Sequence, residues 1–189
     1  MSRVRVQFTV LCEDEQAKEF VRVALGERGA GRREIRVLPL PSKPSGGAGD
    51  QHVRTRYVGQ VRALRDEGRG SLIVHIDADP KNTVAARHEQ LAKLLTAAGE
   101  KVRQPQERIV ELVPKRNIET WIHALDPSLG VPRPLDEKTA YRKLNRAEMC
   151  GNAAREFDRL SRLPQPATGP DLLPSLLDGL AELGRLPAP

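Results

Sequence analysis

Residues 71–76, SLIVHI, form a nearly continuous apolar run between Gly70 and Asp77. Such a run is typical of a parallel strand covered on both faces, because neither face then meets water. A strand of this kind needs strands beside it and helices above and below it. The run therefore predicts an α/β domain with this strand near the centre of the sheet.

Three further segments show strand patterns, and helical patterns separate them along the chain. The predicted strands are 3–12, 34–40 and 108–113. The predicted helices are 16–28, 52–66, 82–98 and 117–125. This alternation predicts a mainly parallel sheet of about four strands flanked by helices.

The length of 189 residues suits one α/β domain with a small appendage. We expect the domain at 1–126 and a helical C-terminal extension packed on it at 127–189. An apolar stripe in the extension predicts packing against the chain's own core, with a dimer contact as the alternative. The stripe consists of Leu172, Leu173, Leu176, Leu177 and Leu180.

Residues 41–50, PSKPSGGAGD, have the composition of a mobile surface loop. The segment lacks the GK[ST] ending and the strand-to-helix placement of a phosphate-binding loop. A surface loop is therefore the favoured interpretation.

The net charge is +6 and the sequence pI is about 9.7, which favours polyanionic partners such as nucleic acid. The Arg-rich composition of GC-biased genomes is an alternative source of that charge. The two cysteines form no disulfide framework or zinc spacing. Because no secretory signal or membrane span is recognisable, we expect a cytoplasmic protein with no membrane contact.

Acidic residues follow two of the predicted strands. Glu13, Asp14 and Glu15 follow the first, and Asp77 and Asp79 follow the apolar run. If the two strands are parallel neighbours, Glu13, Asp77 and Asp79 converge at the carboxyl edge of the sheet. Asp77 and Asp79 are two residues apart, so in an extended chain their side chains point the same way.

Such a group of carboxylates is mutually repulsive without a cation. Mg²⁺ or Mn²⁺ suits it, because both prefer carboxylate and water oxygens and leave positions open for a phosphate. The alternative is that these acids cap helix and turn N–H groups. Glu13 to Glu15 would then open the first helix, and Asp79 would cap the turn at Pro80.

Three stretches in this order resemble the Toprim domain, in the small stand-alone versions related to OLD-type nucleases and to uncharacterised Toprim-like proteins of bacteria and archaea. They are VLCEDEQAKEFV at 10–21, LIVHIDADP at 72–80 and VPKRNIETWIHAL at 113–125. The first resembles the family's strand-end glutamate, the second its D-x-D strand, and the third its later helix with Glu and Trp. Together they cover about 10–125.

The resemblance implies a four-stranded, largely parallel sheet and a Mg²⁺ ion held by Asp77 and Asp79. It implies that Glu13 is a general acid/base or a further group directed at the metal. Asp14 stands where the family usually has Gly, which either forces another turn geometry or adds an acid to the site. Lys81 stands where Toprim primases and topoisomerases often carry a further acid, so the resemblance leaves open whether the site binds one metal ion or two.

Other residues near the predicted edge each allow two interpretations. Lys115 and Arg116 either bind phosphate or form a solvated pair. Glu119 either supports the metal site or interacts with the dipole of its helix. Trp121 is expected in the core, because at 3% aromatic content a base-stacking platform is disfavoured.

His75 lies within the apolar run and is expected to be a core histidine with its hydrogen bonds satisfied. The other histidines, His52, His88 and His123, do not cluster in sequence with a pair of acids. A histidine-based hydrolase is therefore disfavoured.

These features favour a Mg²⁺-dependent phosphodiester-cleaving enzyme, most plausibly a nuclease acting on nucleic acid. The alternative is a non-catalytic Toprim-fold subunit that binds nucleic acid or a partner protein in a bacterial phage-defence or mobile-element system. A nucleotide-processing enzyme with the same metal chemistry is a third hypothesis.

Overall fold

The centre of the computed structural model is a four-stranded, all-parallel sheet in the order β2-β1-β3-β4. The structure describes residues 6–41, 48–78, 82–129, 150–163 and 172–186. The strands are β1 (Phe8–Leu11), β2 (Ile35–Val37), β3 (Ser71–His75) and β4 (Ile109–Leu112). The predicted α/β class and parallel sheet are confirmed, whereas membership of the Toprim family stays a prediction.

Six α-helices lie within the described ranges. They are α1 (Glu15–Glu27), α2 (Ala48–Glu67), α3 (Val84–Ala97), α4 (Ile118–Leu125), α5 (Gly151–Ser161) and α6 (Pro174–Leu183). None of them combines the length and apolar character needed to cross a bilayer.

The start of α2 differs from the sequence prediction. The helix begins at Ala48 rather than at residue 52, so the end of the predicted loop 41–50 is helical. Asp50 accepts a hydrogen bond from Arg54 Nε at 2.8 Å, and an acid in the first turn also stabilises the helix dipole. Residues 42–47 of the predicted loop lie outside the described residues.

The sheet is covered on both faces, and every residue of β3 is buried, as its apolar sequence predicts. One face packs against α1, α4, α5 and α6, and the other against α2 and α3. The first face contributes Val10, Cys12, Ile73, Val110 and Leu112. The second contributes Leu11, Leu72, Val74, Ile76 and Ile109.

The C-terminal helices share the core of the first face. Helix α5 packs on α1 and α4, and α6 packs on β4 and α5. In the predicted leucine stripe, Leu173, Leu176 and Leu180 are buried, and the other two members are partly buried against the same core. The stripe therefore packs within the chain, while the domain boundary after residue 126 stays a prediction.

Trp121 joins three helices at the centre of this face, as the core interpretation predicts. Its side chain is fully buried. The indole Nε1 donates a hydrogen bond to Ser175 Oγ at 2.9 Å, and the ring stacks on Phe157 with centroids 5.4 Å apart. Gly179 of α6 lies directly against the ring. A Cβ atom there would stand 2.3 Å from Trp121 Cη2.

We expect Gly179→Ala to lower the free energy of unfolding by at least about 2 kcal/mol, because the stacked indole cannot move away from the added methyl group. Chemical denaturation measures the change. Gly26→Ala is the matched control, because a Cβ atom at Gly26 meets no other atom within 4 Å. That control should be neutral or more stable by up to about 1 kcal/mol. Equal stability of the two variants would contradict the packing of Trp121 on Gly179.

Candidate functional site

The strand order reverses between β1 and β3. From β1 the chain passes through α1 to β2 on one side, and from β3 it passes through α3 to β4 on the other. Leu11 at the end of β1 is in register with Val74 of β3. In open α/β sheets this arrangement leaves a crevice at the carboxyl ends of the strands, where ligands bind.

Glu13 and Asp77 meet at this crevice. The backbone N–H of Asp77 donates a hydrogen bond to Glu13 Oε1 at 2.8 Å. The predicted convergence of these two residues is therefore observed. Asp79, the third member of the predicted trio, lies outside the described residues, and its place in the site stays a prediction.

The environment of Glu13 disfavours its charged form. Burial raises the pKa of Glu13 to about 7, although the hydrogen bond from the Asp77 backbone acts in the opposite direction. The negative charges of Asp50 and Asp14 raise the pKa further, whereas the positive charge of Arg87 lowers it.

The environment of Asp77 also disfavours its charged form. Burial and the negative charges of Glu13, Asp14 and Glu119 raise its pKa well above the ordinary value. Its side chain is a quarter exposed, but Oδ1 is buried and has no hydrogen-bond partner among the described residues. A buried carboxylate oxygen without a donor is costly unless a cation or water reaches it.

His75 lies beside Asp77, with Nε2 3.8 Å from Asp77 Oδ1, which is too long for a hydrogen bond. The ring is buried as predicted, and burial lowers its pKa to about 4. Neither ring nitrogen of His75 has a hydrogen-bond partner among the described residues. The prediction that the hydrogen bonds of His75 are satisfied is therefore wrong for this part of the chain.

The two acids after Glu13 start helix α1, as the capping interpretation predicts. Asp14 is the N-cap, and its Oδ1 accepts the N–H of Ala17 at 2.9 Å. The φ of Asp14 is −148°, an extended conformation that does not require glycine. Glu15 lies in the first turn and pairs with Lys18.

Arg87 of α3 is a site residue that the sequence interpretation missed. Its side chain is almost fully buried, and Nη1 donates to Asp50 Oδ1 at 2.9 Å. Nη2 lies 3.5 Å from the backbone oxygen of Ala78, directly after Asp77. The positive charge of Arg87 lowers the pKa of both Glu13 and Asp77, so it offsets part of their repulsion.

Lys115 reaches the same edge because β3–β4 pairing continues beyond the strands. The N–H of Ala78 donates to the oxygen of Pro114 at 2.8 Å. Lys115 Nζ then donates to the backbone oxygen of Asn82, and the neighbouring Arg116 is partly buried. Neither residue is therefore simply solvated, and phosphate binding by either stays a prediction.

Glu119 is buried in the first turn of α4, close enough for its charge to raise the pKa of Asp77. Its helix is capped independently by Asn117, whose Oδ1 accepts the backbone N–H of Thr120 at 3.3 Å. The first-turn position fits the helix-dipole interpretation, and a supporting role of Glu119 at a metal site stays a prediction.

A second polar cluster lies between β4 and α6 and includes His88, which has no pair of acids close to it in the sequence. His88 Nδ1 is 2.7 Å from Glu111 Oε2, and Nε2 is 3.0 Å from Asp178 Oδ2. Tyr57 donates its hydroxyl hydrogen to Glu111 Oε1 at 2.5 Å. His88 therefore does meet a pair of acids. Those acids are 23 and 90 residues away along the chain, which conceals the cluster in the sequence.

The second cluster is electrostatically balanced. Burial alone would lower the pKa of His88, but hydrogen bonds to Asp178 and Glu111 outweigh burial and raise it to about 9. Burial alone would raise the pKa of Glu111, but His88, Arg103 and Tyr57 outweigh it and the pKa is lowered. This cluster is a structural clamp between α6 and the sheet, because its carboxylates already have cationic partners.

The donor chemistry of the crevice fits Mg²⁺ or Mn²⁺ in part. Glu13 and Asp77 supply carboxylate oxygens, and Asp77 Oδ1 has no hydrogen-bond partner among the described residues. Among the described residues no group of three or more His, Cys, Asp or Glu is arranged to hold a metal ion. The third predicted carboxylate, Asp79, lies outside those residues.

Two surface cavities of about 450 and 480 Å³ lie elsewhere, at the amino ends of the strands. Their linings share Leu64, Arg69 and Gly70, and neither contains an acid of the crevice. The crevice is therefore chosen as the candidate functional site because of its carboxylates and its place in the sheet, and not because of its volume.

Comparison of the chain with models of known protein families, with curated proteins and with solved structures finds no match. The likeness to the Toprim family therefore rests on the three sequence stretches alone.

We expect the free energy of unfolding to fall by about 2 to 3 kcal/mol as the pH rises from about 6.5 to 9, because His88 has a raised pKa in the folded protein. Its contribution is complete below the unfolded pKa of about 6.5. It disappears as the pH approaches the folded value. Chemical denaturation across this pH range measures the change.

His88→Gln should reduce this pH dependence by about 2 to 3 kcal/mol, and the remainder comes from Glu13 and Asp77, whose raised pKa values also lower stability as the pH rises. An unchanged pH profile in the His88 variant would show that the clamp does not hold a protonated histidine.

Proposed function

We propose that the protein is a Mg²⁺-dependent phosphodiester-cleaving enzyme, a nuclease that acts on nucleic acid through Glu13, Asp77 and Asp79. The observation that carries the proposal is the contact between Glu13 and Asp77 at the point where the strand order reverses. Two partly buried acids with raised pKa values, at the edge of the sheet where the strand order reverses, are typical of functional sites.

Asp77 and Asp79 would hold the Mg²⁺ or Mn²⁺ ion, and Glu13 is the acid that faces it. The bound ion would stabilise the negative charge that develops on a phosphodiester and orient a nucleophile. The N–H of Asp77 fixes one oxygen of Glu13, so this carboxylate has a defined orientation at the crevice. The lack of a hydrogen-bond partner for Asp77 Oδ1 within the described ranges supports its role as a ligand.

Positive charge around the crevice supports a polyanionic substrate. Lys115 and Arg116 follow β4 at the same edge, and the whole chain carries a net charge of +6. Lysine and arginine bind phosphate oxygens by charge-assisted hydrogen bonds. A nucleic acid, with many phosphates, would gain further from counterion release.

We expect the double variant Asp77→Asn, Asp79→Asn to lose metal-dependent cleavage by at least about 100-fold, since altering the partners of metal ligands alone costs about 10- to 100-fold. Cleavage of single- and double-stranded DNA and RNA is measured with Mg²⁺ and with Mn²⁺. The matched control is Asp66→Asn, Glu67→Gln, which removes two exposed acids at the end of α2 far from Glu13.

The control should keep wild-type activity, and both variants should remain folded by circular dichroism. Equal cleavage by the double variant and the wild type would refute the proposal. So would a wild-type protein that cleaves none of the four substrates with either metal.

A non-catalytic binding subunit is the second candidate. It is favoured by Arg87, an internal cation that already offsets part of the charge of Glu13 and Asp77. Salt-sensitive nucleic-acid binding that persists in a chelator, without cleavage, would support this candidate over the nuclease. A role in bacterial defence or mobile elements, with a protein partner or a second copy, belongs to the same proposal.

A further inference from the structure

The first turn of α2 packs directly on Glu13. A Cβ atom at Gly49 would lie 2.9 Å from Glu13 Cβ and 3.2 Å from both the backbone oxygen and Oε2 of Glu13. Carbon atoms prefer separations of about 3.5 to 4.0 Å, so no larger residue fits at Gly49 without moving the helix or Glu13. The backbone of Glu13 continues directly from β1, which restricts such a movement.

An ion pair holds this turn in place. Asp50, next to Gly49, accepts a hydrogen bond from Arg87 Nη1 at 2.9 Å. The same guanidinium group lies 3.5 Å from the oxygen of Ala78 and is almost fully buried. Arg87 therefore connects the first turn of α2 to the chain just after Asp77.

The two oxygens of Glu13 consequently face different elements. Oε1 accepts the N–H of Asp77, and Oε2 lies toward the position where a Gly49 side chain would stand.

We propose that the first turn of α2 positions Glu13 for the reaction, with Gly49 as the positioning residue whose missing side chain allows the close contact. The Asp50–Arg87 ion pair keeps the turn seated against the carboxylate. The effect on the reaction rests on the proposed function, in which Asp77 and Asp79 would hold the metal ion and Glu13 would act beside it. The placement of Glu13 against the Asp77 N–H does not depend on a metal.

The test compares Gly49→Ala with Gly59→Ala, a glycine of the same helix where a Cβ atom meets nothing within 4 Å. The first readout is hydrogen exchange and chemical shift of the Asp77 amide by NMR in metal-free protein. We expect exchange about tenfold faster in Gly49→Ala and unchanged in Gly59→Ala, because only the first loses the bond to Glu13.

The second readout is Mn²⁺ affinity, measured from the free-ion signal in electron paramagnetic resonance. We expect at least about tenfold weaker binding in Gly49→Ala and wild-type affinity in Gly59→Ala. A folded Gly49→Ala protein with an unchanged Asp77 amide would overturn the inference. If the wild type binds no Mn²⁺, the proposed function fails, while the amide readout still decides the positioning role.

If Gly49→Ala does not fold, Asp50→Asn provides a second test of the positioning role. This variant keeps the side-chain volume and the glycine but weakens the ion pair with Arg87. It should also speed exchange of the Asp77 amide, by less than Gly49→Ala would. No change in that exchange would likewise contradict the role of the turn.

Discussion

The parallel pairing of β1 with β3 is the constraint on which the rest of the structure depends. The two strands are separated in sequence by α1, β2 and α2, and yet they are direct neighbours in the sheet. Their pairing places β2 on one side and β4 on the other, which creates the reversal in strand order. It also brings together Glu13 and Asp77, which have no local interaction in the sequence. The candidate site is thus a consequence of the topology.

The edge of the sheet beside β4 is closed by the end of the chain. Glu182 of α6 accepts the backbone N–H of Glu111 at 2.9 Å and also pairs with Arg103. An edge N–H that would otherwise be free thus has a partner, which also protects the edge from pairing with another strand. Together with the His88–Asp178 contact, this makes α6 a part of the sheet's packing and not a loosely attached extension.

Much of the fold could be predicted because the spacing of apolar residues along the chain indicates each strand or helix by itself, as in the nearly continuous apolar run of β3. The start of α2 could not, since Gly49 in a glycine-rich stretch resembles a loop until its contact with Glu13 is seen. Arg87 did leave a signal: it lies three residues after Val84 and four before Leu91, within the apolar stripe of α3. A charge at such a position indicates a buried partner, but the sequence does not identify that partner as Asp50.

The contrast between the two buried carboxylate clusters gives the strongest physical reason to place function at the crevice. Glu111 has a lowered pKa because His88, Arg103 and Tyr57 surround it with donors. Asp77 has a raised pKa and a buried oxygen without a donor among the described residues, although it follows β3, the strand that pairs with the strand of Glu111. Folded chains satisfy buried charges where stability is the only requirement. An acid left without a donor among the described residues is therefore the observation that most supports the metal site proposed at the crevice.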